Sequence, residues 1–333
     1  MFYLKREEFI ILPISFIVFL KEAKKNKRNI NFAKQFTMSV ELFEDILALI
    51  EEKGNDYTIA LDMDRVDYPG KFFEELKELN NKIIFFNIKG NILIEKMKED
   101  IQNLNWNDKE EVCCLNYTMS SHIINKYKSV LKNANIEYYI KIINQIKEPC
   151  DIEKPLLLDS SGLYSNMYIN VKKVFLIPEF YYFILFGMAK CIDEEFDKYD
   201  GFISSSKNGA ILASLLASMF RKKVVHILGV GPKYSMRVGN IQNEIKRGKS
   251  YIYVFDFICT GTEYKVLSAL VNANDANLIG GIGFAQYSSV NSEKKMSFEK
   301  VNSLVTTSEA GIQYKIAGSI EDIKYLMNGL DIH

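Results

Sequence analysis

Residues 250–270 read SYIYVFDFICTGTEYKVLSAL, and this stretch decides the fold of the C-terminal part of the chain. Its first part, Ser250–Ile258, is an apolar run of β-branched and aromatic residues, typical of a parallel-sheet strand that is buried on both faces. Cys259–Thr262 is a small, hydroxyl-rich turn, and Glu263–Val271 has helical spacing. The stretch therefore predicts the strand–loop–helix unit of an α/β domain.

The loop of this unit has the composition of an anion-binding site. A glycine-containing loop that opens a helix places backbone N–H groups around an anion. Gly261 can adopt a positive φ, and Thr260 and Thr262 can donate hydroxyl hydrogen bonds. Asp256 lies near the carboxyl end of the strand, where open α/β sheets bind ligands. An ordinary turn with a threonine cap is the alternative that the motif alone leaves open.

The composition is that of a globular protein of 333 residues, long enough for two domains. Its 42 basic and 42 acidic residues balance, so bulk charge gives no sign of a nucleic-acid or anionic-membrane partner. The apolar run at 9–20 is too short to span a bilayer and contains Pro13. The five cysteines lack metal-ligand spacing, and the adjacent pair Cys113 and Cys114 indicates a reducing cytoplasm.

Strand-like and helix-like segments alternate in the N-terminal part. We predict strands at Glu8–Leu12, Tyr57–Met63 and Lys82–Ile88, with helices at 15–25, 40–53, 72–79 and 92–101. The pattern divides the chain into a small α/β domain at 1–102, a helical connector at 103–150 and a larger α/β domain at 151–333. Within the connector, separate helices are expected at Ser121–Lys132 and Tyr138–Lys147.

The segment YVFDFICTGTEYKVLSAL (253–270) resembles the phosphoribosyl pyrophosphate (PRPP) binding motif of type I phosphoribosyltransferases. Three further segments occur in the order of the orotate phosphoribosyltransferase branch. Residues 156–184 resemble its base-binding segment, 199–227 its pyrophosphate-loop unit, and 245–254 the hairpin that leads into the PRPP strand. The resemblance implies the fold of that family for the C-terminal domain, a parallel sheet flanked by helices.

The resemblance also implies roles for individual residues. The terminal phosphate of the ribose would bind in a cradle formed by Cys259, Thr260, Gly261, Thr262 and Glu263. Pyrophosphate would bind at a loop, called the serine loop below, that spans Ser204–Gly209 and offers Ser205, Ser206, Lys207, Asn208 and Gly209. Asp256 would hold the ribose hydroxyls and help to position Mg²⁺-bound pyrophosphate. Base recognition would fall to Ser161, Gly162, Tyr168 and Asn170.

The sequence departs from the family pattern at three places. Phe255 stands where the first of two adjacent acids is usual, and Glu263 stands where a small residue is usual. The loop at 228–240 lacks the histidine of the family's closing loop but offers Lys233 and Arg237. These two cations either supply positive charge at the leaving group or are solvated loop charges. His226, on an apolar strand, is predicted to be structural.

Residues 56–97 resemble the second half of STAS-like domains, small modules that serve as interaction or switch elements. An unrelated α/β layer is the alternative for this part of the chain. Asp62 and Asp64 are spaced like a metal pair, but in a STAS-like strand they are predicted to be turn and surface acids.

Two functions of different classes follow. The first is a Mg²⁺-dependent phosphoribosyltransferase that transfers ribose 5-phosphate from PRPP to orotate or a related nitrogen base. The second is a sensor that binds PRPP or a nucleotide without turnover, while the N-terminal domain engages a partner protein. The resemblance further implies a homodimer.

Overall fold

The computed structural model describes residues 1–6, 8–24, 36–67, 74–76, 78–88, 91–100, 104–107, 112–116, 121–151, 153–158, 162–227, 244–287, 301–312, 314–322 and 324. The chain forms two compact units, Met1–Tyr138 and Tyr139–His333. Their division falls inside the predicted connector, and each unit is described by itself.

The first unit contains a six-stranded sheet in the order β1-β2-β3-β4-β6-β5. Neighbouring strands β2, β3 and β4 are parallel, and the other pairs are antiparallel. The strands are β1 (Leu4–Arg6), β2 (Phe9–Pro13), β3 (Thr58–Asp62), β4 (Ile83–Phe86), β5 (Asn105–Asn107) and β6 (Val112–Leu115). The helices are α1 (Ile14–Lys24), α2 (Val40–Lys53) and α3 (Asn91–Asp100). The sheet and helices form the α/β layer that the alternating sequence pattern predicts.

The environment of the two N-terminal aspartates corrects one expectation. Asp62 is a turn acid as predicted, since its Oδ1 accepts from the backbone N of Asp64 at 3.1 Å and from Asn87 Nδ2 at 2.9 Å. Asp64 is not a surface acid, because only 6% of it is exposed. Its backbone oxygen accepts a hydrogen bond from the buried Ser15 hydroxyl. Among the described residues, no group of three or more acidic, histidine or cysteine side chains could hold a metal ion.

A single helix, α4 (Ser121–Ile146), replaces the two helices expected in the connector. Residues Val130, Ala134, Tyr138, Ile142 and Ile146 are buried at every fourth position. This spacing continues across the polar stretch that suggests a break, and no proline or glycine interrupts it. Of the predicted helix at 72–79, residues 74–76 are helical, whereas 72, 73 and 77 lie outside the described residues.

The second unit is built on a five-stranded sheet in the order β12-β11-β13-β14-β15, and every neighbouring pair is parallel. Its strands are β11 (Gly201–Ser204), β12 (Lys223–His226), β13 (Ser250–Ile258), β14 (Asn277–Gln286) and β15 (Val301–Thr306). The accompanying helices are α5 (Pro178–Glu195), α6 (Lys207–Phe220) and α7 (Thr262–Ala273). The predicted fold class, a parallel sheet with helices preceded by a smaller α/β unit, is confirmed.

Helices α6 and α7 lie on opposite faces of this sheet. Phe202 packs against Phe220 of α6, whereas the next strand residue, Ile203, belongs to the buried cluster that contains Leu267 of α7. Neighbouring side chains in a strand point to opposite faces, so the two helices cover both. A sheet covered in this way explains why β13 is an almost continuous apolar run.

Two small antiparallel sheets complete the second unit. One has three strands in the order β16-β9-β8, formed by β8 (Leu156–Leu158), β9 (Leu163–Ser165) and β16 (Ile316–Ala317). The other pairs β7 (Lys147–Pro149) with β10 (Met167–Ile169), and a 3-10 helix follows at Val171–Leu176. Within the part of the chain described here, no helix has the length and apolar character needed to cross a membrane.

Candidate functional site

The order of the parallel strands fixes where a ligand can bind. The chain goes outward from β11 to β12 on one side and then returns to β13 on the other side of β11. At such a switch point the two connecting loops separate and leave a crevice beyond the carboxyl ends of the strands. The serine loop follows β11, and the cradle follows β13, so both predicted phosphate-binding segments meet at this crevice.

The cradle has the backbone geometry of an open helix start. Gly261 has a φ of 69° and is the N-cap of α7, which confirms the positive φ predicted for it. The first N–H groups of a helix have no acceptor within the helix, and a glycine cap brings no side chain to bond them. The hydroxyls of Thr260 and Thr262 lie 2.9 Å apart at the same turn. This arrangement suits an anion with several oxygens.

Asp256 joins the cradle strand to the serine loop. Its Oδ1 accepts from Ser206 Oγ at 3.0 Å, and its Oδ2 accepts from Asn208 Nδ2 at 2.9 Å. The same Ser206 Oγ accepts from the backbone N of Gly209 at 2.9 Å, and so caps α6. The half-buried carboxylate is thus fixed by the first turn of α6 at the crevice between the two loops.

Phe255, which replaces the first family acid, does not face the crevice. Its ring is 1% exposed and stacks on Tyr253, with ring centroids 5.5 Å apart. The ring lies over Gly283 of β14, where an added Cβ would come within 2.1 Å of ring carbons. Because Phe255 and Asp256 point to opposite faces of β13, the site contains a single acid from this strand.

The carboxylate of Glu263 points across the sheet edge to the serine loop. Its Oε2 accepts from Ser205 Oγ at 2.6 Å and from the Tyr253 hydroxyl at 3.3 Å. The Ser205 and Tyr253 hydroxyls are themselves 3.0 Å apart. Burial raises the pKa of Tyr253 well above its usual value, and the negative charge of Glu263 adds to that rise. The side chain is therefore part of a hydrogen-bonded group beneath the loops.

The predicted base-pocket residues are divided between two environments. Burial raises the pKa of the Tyr168 phenol, and the negative charges of Asp256 and Glu148 add to that rise. Asn170 Nδ2 donates to Glu148 Oε1 at 3.1 Å, and the nearby Lys173 is the main cause of the lowered pKa of Glu148. Asn170 Oδ1 is buried and has no hydrogen-bond partner among the described residues.

Other predicted site residues are placed as follows. Lys207 is exposed at the first position of α6, and Gly162 is exposed with a φ of 70° in the turn between β8 and β9. Burial raises the pKa of the Cys259 thiol to about 12, and a hydrogen bond with Tyr314 partly opposes that rise. Ser161, Lys233 and Arg237 lie outside the described residues.

Sequence reasoning missed three participants near the crevice. Tyr253 has a readable signal, since a tyrosine in a buried strand needs a partner for its hydroxyl. Tyr314 has no such signal. The sequence predicts Ser204 only as part of the loop, but it ends β11 and its Oγ lies 2.9 Å from Nδ1 of His226. That contact is what a structural histidine requires.

Comparison with known proteins gives a relative that is similar in sequence to part of this chain. No protein-family model matches the chain. A curated orotate phosphoribosyltransferase from Methanocaldococcus jannaschii is 29% identical over 121 residues, which cover 36% of this chain and 66% of that relative. The match thus spans slightly less than two thirds of the relative's length.

Solved structures of the same class also align with the chain. Adenine phosphoribosyltransferase from Thermoanaerobacter pseudethanolicus is 14% identical with a TM-score of 0.40, covering 50% of this chain and 99% of that one. Orotate phosphoribosyltransferase from Aeropyrum pernix is 14% identical with a TM-score of 0.39, covering 52% and 96%. The sequence relative confirms the predicted resemblance: the chain is similar to type I phosphoribosyltransferases of the orotate branch.

Proposed function

We propose that the second unit is a phosphoribosyltransferase, which transfers ribose 5-phosphate from PRPP to orotate or a related nitrogen base and releases pyrophosphate. The observation that carries the proposal is the position of Asp256, held by Ser206 and Asn208 between the two predicted anion-binding segments at the switch point. The sequence similarity to an orotate phosphoribosyltransferase supports it.

Each segment has a role in this reaction. The cradle binds the terminal phosphate through backbone N–H groups and the Thr260 and Thr262 hydroxyls, while the serine loop binds pyrophosphate. Asp256 accepts from the ribose hydroxyls. As the bond from the ribose carbon to pyrophosphate breaks and the bond to the base nitrogen forms, positive charge develops on the ribose ring. The protein contributes positioning and charge stabilisation, with no covalent intermediate.

The residues at the crevice fit a Mg²⁺ ion that arrives with the substrate. Mg²⁺ is commonly bound by one or two carboxylates together with substrate phosphate oxygens. Asp256 supplies one such carboxylate, half-buried at the mouth of the crevice. Asp256 would therefore hold the ion jointly with pyrophosphate, and the ion would neutralise charge on that leaving group.

Positive charge from the protein has two proposed sources. Lys207 of the serine loop is exposed at the start of α6, and its ammonium group can extend to an anion there. Lys233 and Arg237, in the segment after β12, are proposed to close over pyrophosphate. Neutralising a polyphosphate leaving group requires charge near it, and several placements can supply that charge.

The packing of Phe255 against Gly283 favours the second candidate function, a sensor that binds PRPP or a nucleotide without turning it over. The ring removes one of two acceptors for the ribose hydroxyls and fills a space on the opposite face of the sheet. In this alternative the first unit engages a partner protein. The homodimer and the STAS-like character of the first unit stay predictions for both functions.

Turnover separates the two functions. The purified chain is incubated with PRPP and Mg²⁺, orotate is added, and pyrophosphate release is followed. Sustained release that depends on orotate supports the transferase. Binding of PRPP by calorimetry, with no release for orotate, uracil or adenine, supports the sensor. A folded chain that binds neither PRPP nor a nucleotide in such a titration contradicts both.

A further inference from the structure

Glu263 is the second residue of α7, and its side chain leaves the cradle to reach the segment that follows β11. Glu263 Oε2 accepts from Ser205 Oγ at 2.6 Å and from the Tyr253 hydroxyl at 3.3 Å. We propose that Glu263 is a positioning residue that ties the cradle to the serine loop and holds both phosphate-binding segments in one arrangement. We call the hydrogen bonds of Glu263 with Ser205 and Tyr253 the tether. The inference rests on the proposed function, because it gives the tether a role in binding PRPP.

The surroundings of the tether make it strong. Ser205 is 7% exposed and Tyr253 is 2% exposed, so both hydroxyls bond the carboxylate in a largely dry setting. Hydrogen bonds to an ionised group are shorter and stronger than neutral ones, and shielding from water strengthens them further. The three side chains come from α7, from the segment after β11 and from β13, so they connect the elements that form the crevice.

The serine loop is held from two sides. Ser205 donates to Glu263, and the next residue, Ser206, donates to Asp256 at 3.0 Å. Tyr253 and Asp256 are three positions apart in β13 and point to opposite faces of the sheet. Neighbouring serines therefore bond acids on opposite faces, which limits movement of the loop between them.

A carboxylate at this position has two opposing effects on anion binding. Its negative charge repels a phosphate in the adjacent cradle, whereas its hydrogen bonds fix the position of that cradle relative to the serine loop. Glutamine keeps the length and an acceptor oxygen but removes the charge. Alanine removes both the charge and the tether. The two substitutions therefore distinguish positioning from simple repulsion.

The test measures PRPP affinity in the presence of Mg²⁺ by calorimetry for the wild type and four variants. We expect Glu263→Ala and Ser205→Ala to bind roughly tenfold more weakly, as for a lost hydrogen bond to a charged group. Glu263→Gln should bind at least as tightly as the wild type. Glu194→Ala, which removes an exposed carboxylate from α5, is the charge control and should match the wild type. If Glu263→Ala binds as tightly as the wild type or more tightly, the tether is overturned.

If the wild type binds no PRPP, the proposed function is contradicted but the tether is not. A measurement without ligand then tests the tether. Thermal unfolding of Glu263→Ala, Ser205→Ala and the double variant forms a double-mutant cycle. The tether is supported if the double variant loses clearly less stability than the sum of the losses in the two single variants. Additive losses overturn it. If Glu263→Ala fails to fold, Glu263→Gln takes its place in the cycle, where loss of the charge should weaken the coupling to Ser205.

Discussion

The ring of Phe255 fills the space above Gly283, at a position where a Cβ would lie 2.1 Å from ring carbons. One strand thus provides a bulky ring, and its neighbour provides the notch that accepts it. The pair explains how this chain accommodates an aromatic residue in place of an acid while Phe255 stays paired with Gly283 in the parallel ladder of β13 and β14.

A methyl group at Gly283 should therefore destabilise the fold. We expect Gly283→Ala to lower the free energy of unfolding by about 1–3 kcal/mol, because an overpacked core must shift side chains or backbone. Gly281→Ala is the matched control, since a Cβ there would meet its nearest atom at 3.4 Å, an ordinary contact. Denaturant unfolding gives the free energy of unfolding of both variants. Equal values would contradict the claim that the Phe255 ring leaves no room for a side chain at position 283.

Restoring the family acid should not restore a paired site. Phe255→Asp would place a carboxylate in an apolar cluster on the α7 face, away from Asp256. Burying an unpaired charge costs several kcal/mol, so we expect a loss of about 3 kcal/mol or more in the free energy of unfolding. Chemical denaturation and PRPP calorimetry check this together. Tighter PRPP binding with unchanged stability would show that position 255 reaches the crevice.

Asn208 should contribute to ligand binding through Asp256. Its Nδ2 donates to Asp256 Oδ2 at 2.9 Å, and Asn208→Ala would leave that oxygen without this donor. We expect PRPP affinity to fall about fivefold, the effect of one ordinary hydrogen bond. Asn272, an exposed asparagine in the last turn of α7, provides the matched control. Asn272→Ala should bind PRPP like the wild type. An unchanged affinity for Asn208→Ala would argue against the role of this contact.

The Cys259 thiol should be unreactive in the native protein. Burial raises its pKa to about 12, so very little of the thiol is ionised at pH 8, and reactivity should rise as pH increases towards that value. Alkylation by iodoacetamide followed by mass spectrometry measures the rate. The chain unfolded in urea, where a cysteine regains its ordinary pKa, is the control and should react much faster. Rapid native labelling of Cys259 at pH 8 would contradict this burial.

The sequence predicts the unit formed by β13 and α7 well, because a continuous apolar run and a glycine at a helix start are local signals. It misses contacts between distant segments. The bond between Ser205 and Glu263 joins residues 58 positions apart, and no local pattern encodes it. The same limit applies to the burial of Asp64, whose backbone oxygen accepts from Ser15 of another element. The sequence predicts two helices where α4 is one, because the burial pattern that crosses its polar stretch depends on tertiary packing.

The central claim is that Asp256 belongs to a PRPP-binding site at the switch point. The most direct test is a calorimetric titration of PRPP with Mg²⁺ into the wild type and into Asp256→Asn, with thermal unfolding of both as a folding control. We predict saturable one-site binding to the wild type and at least tenfold weaker binding to the folded variant, because the variant loses a charged acceptor for the ribose hydroxyls and the ion. Equal binding by both proteins, or no binding by the wild type, would contradict the claim.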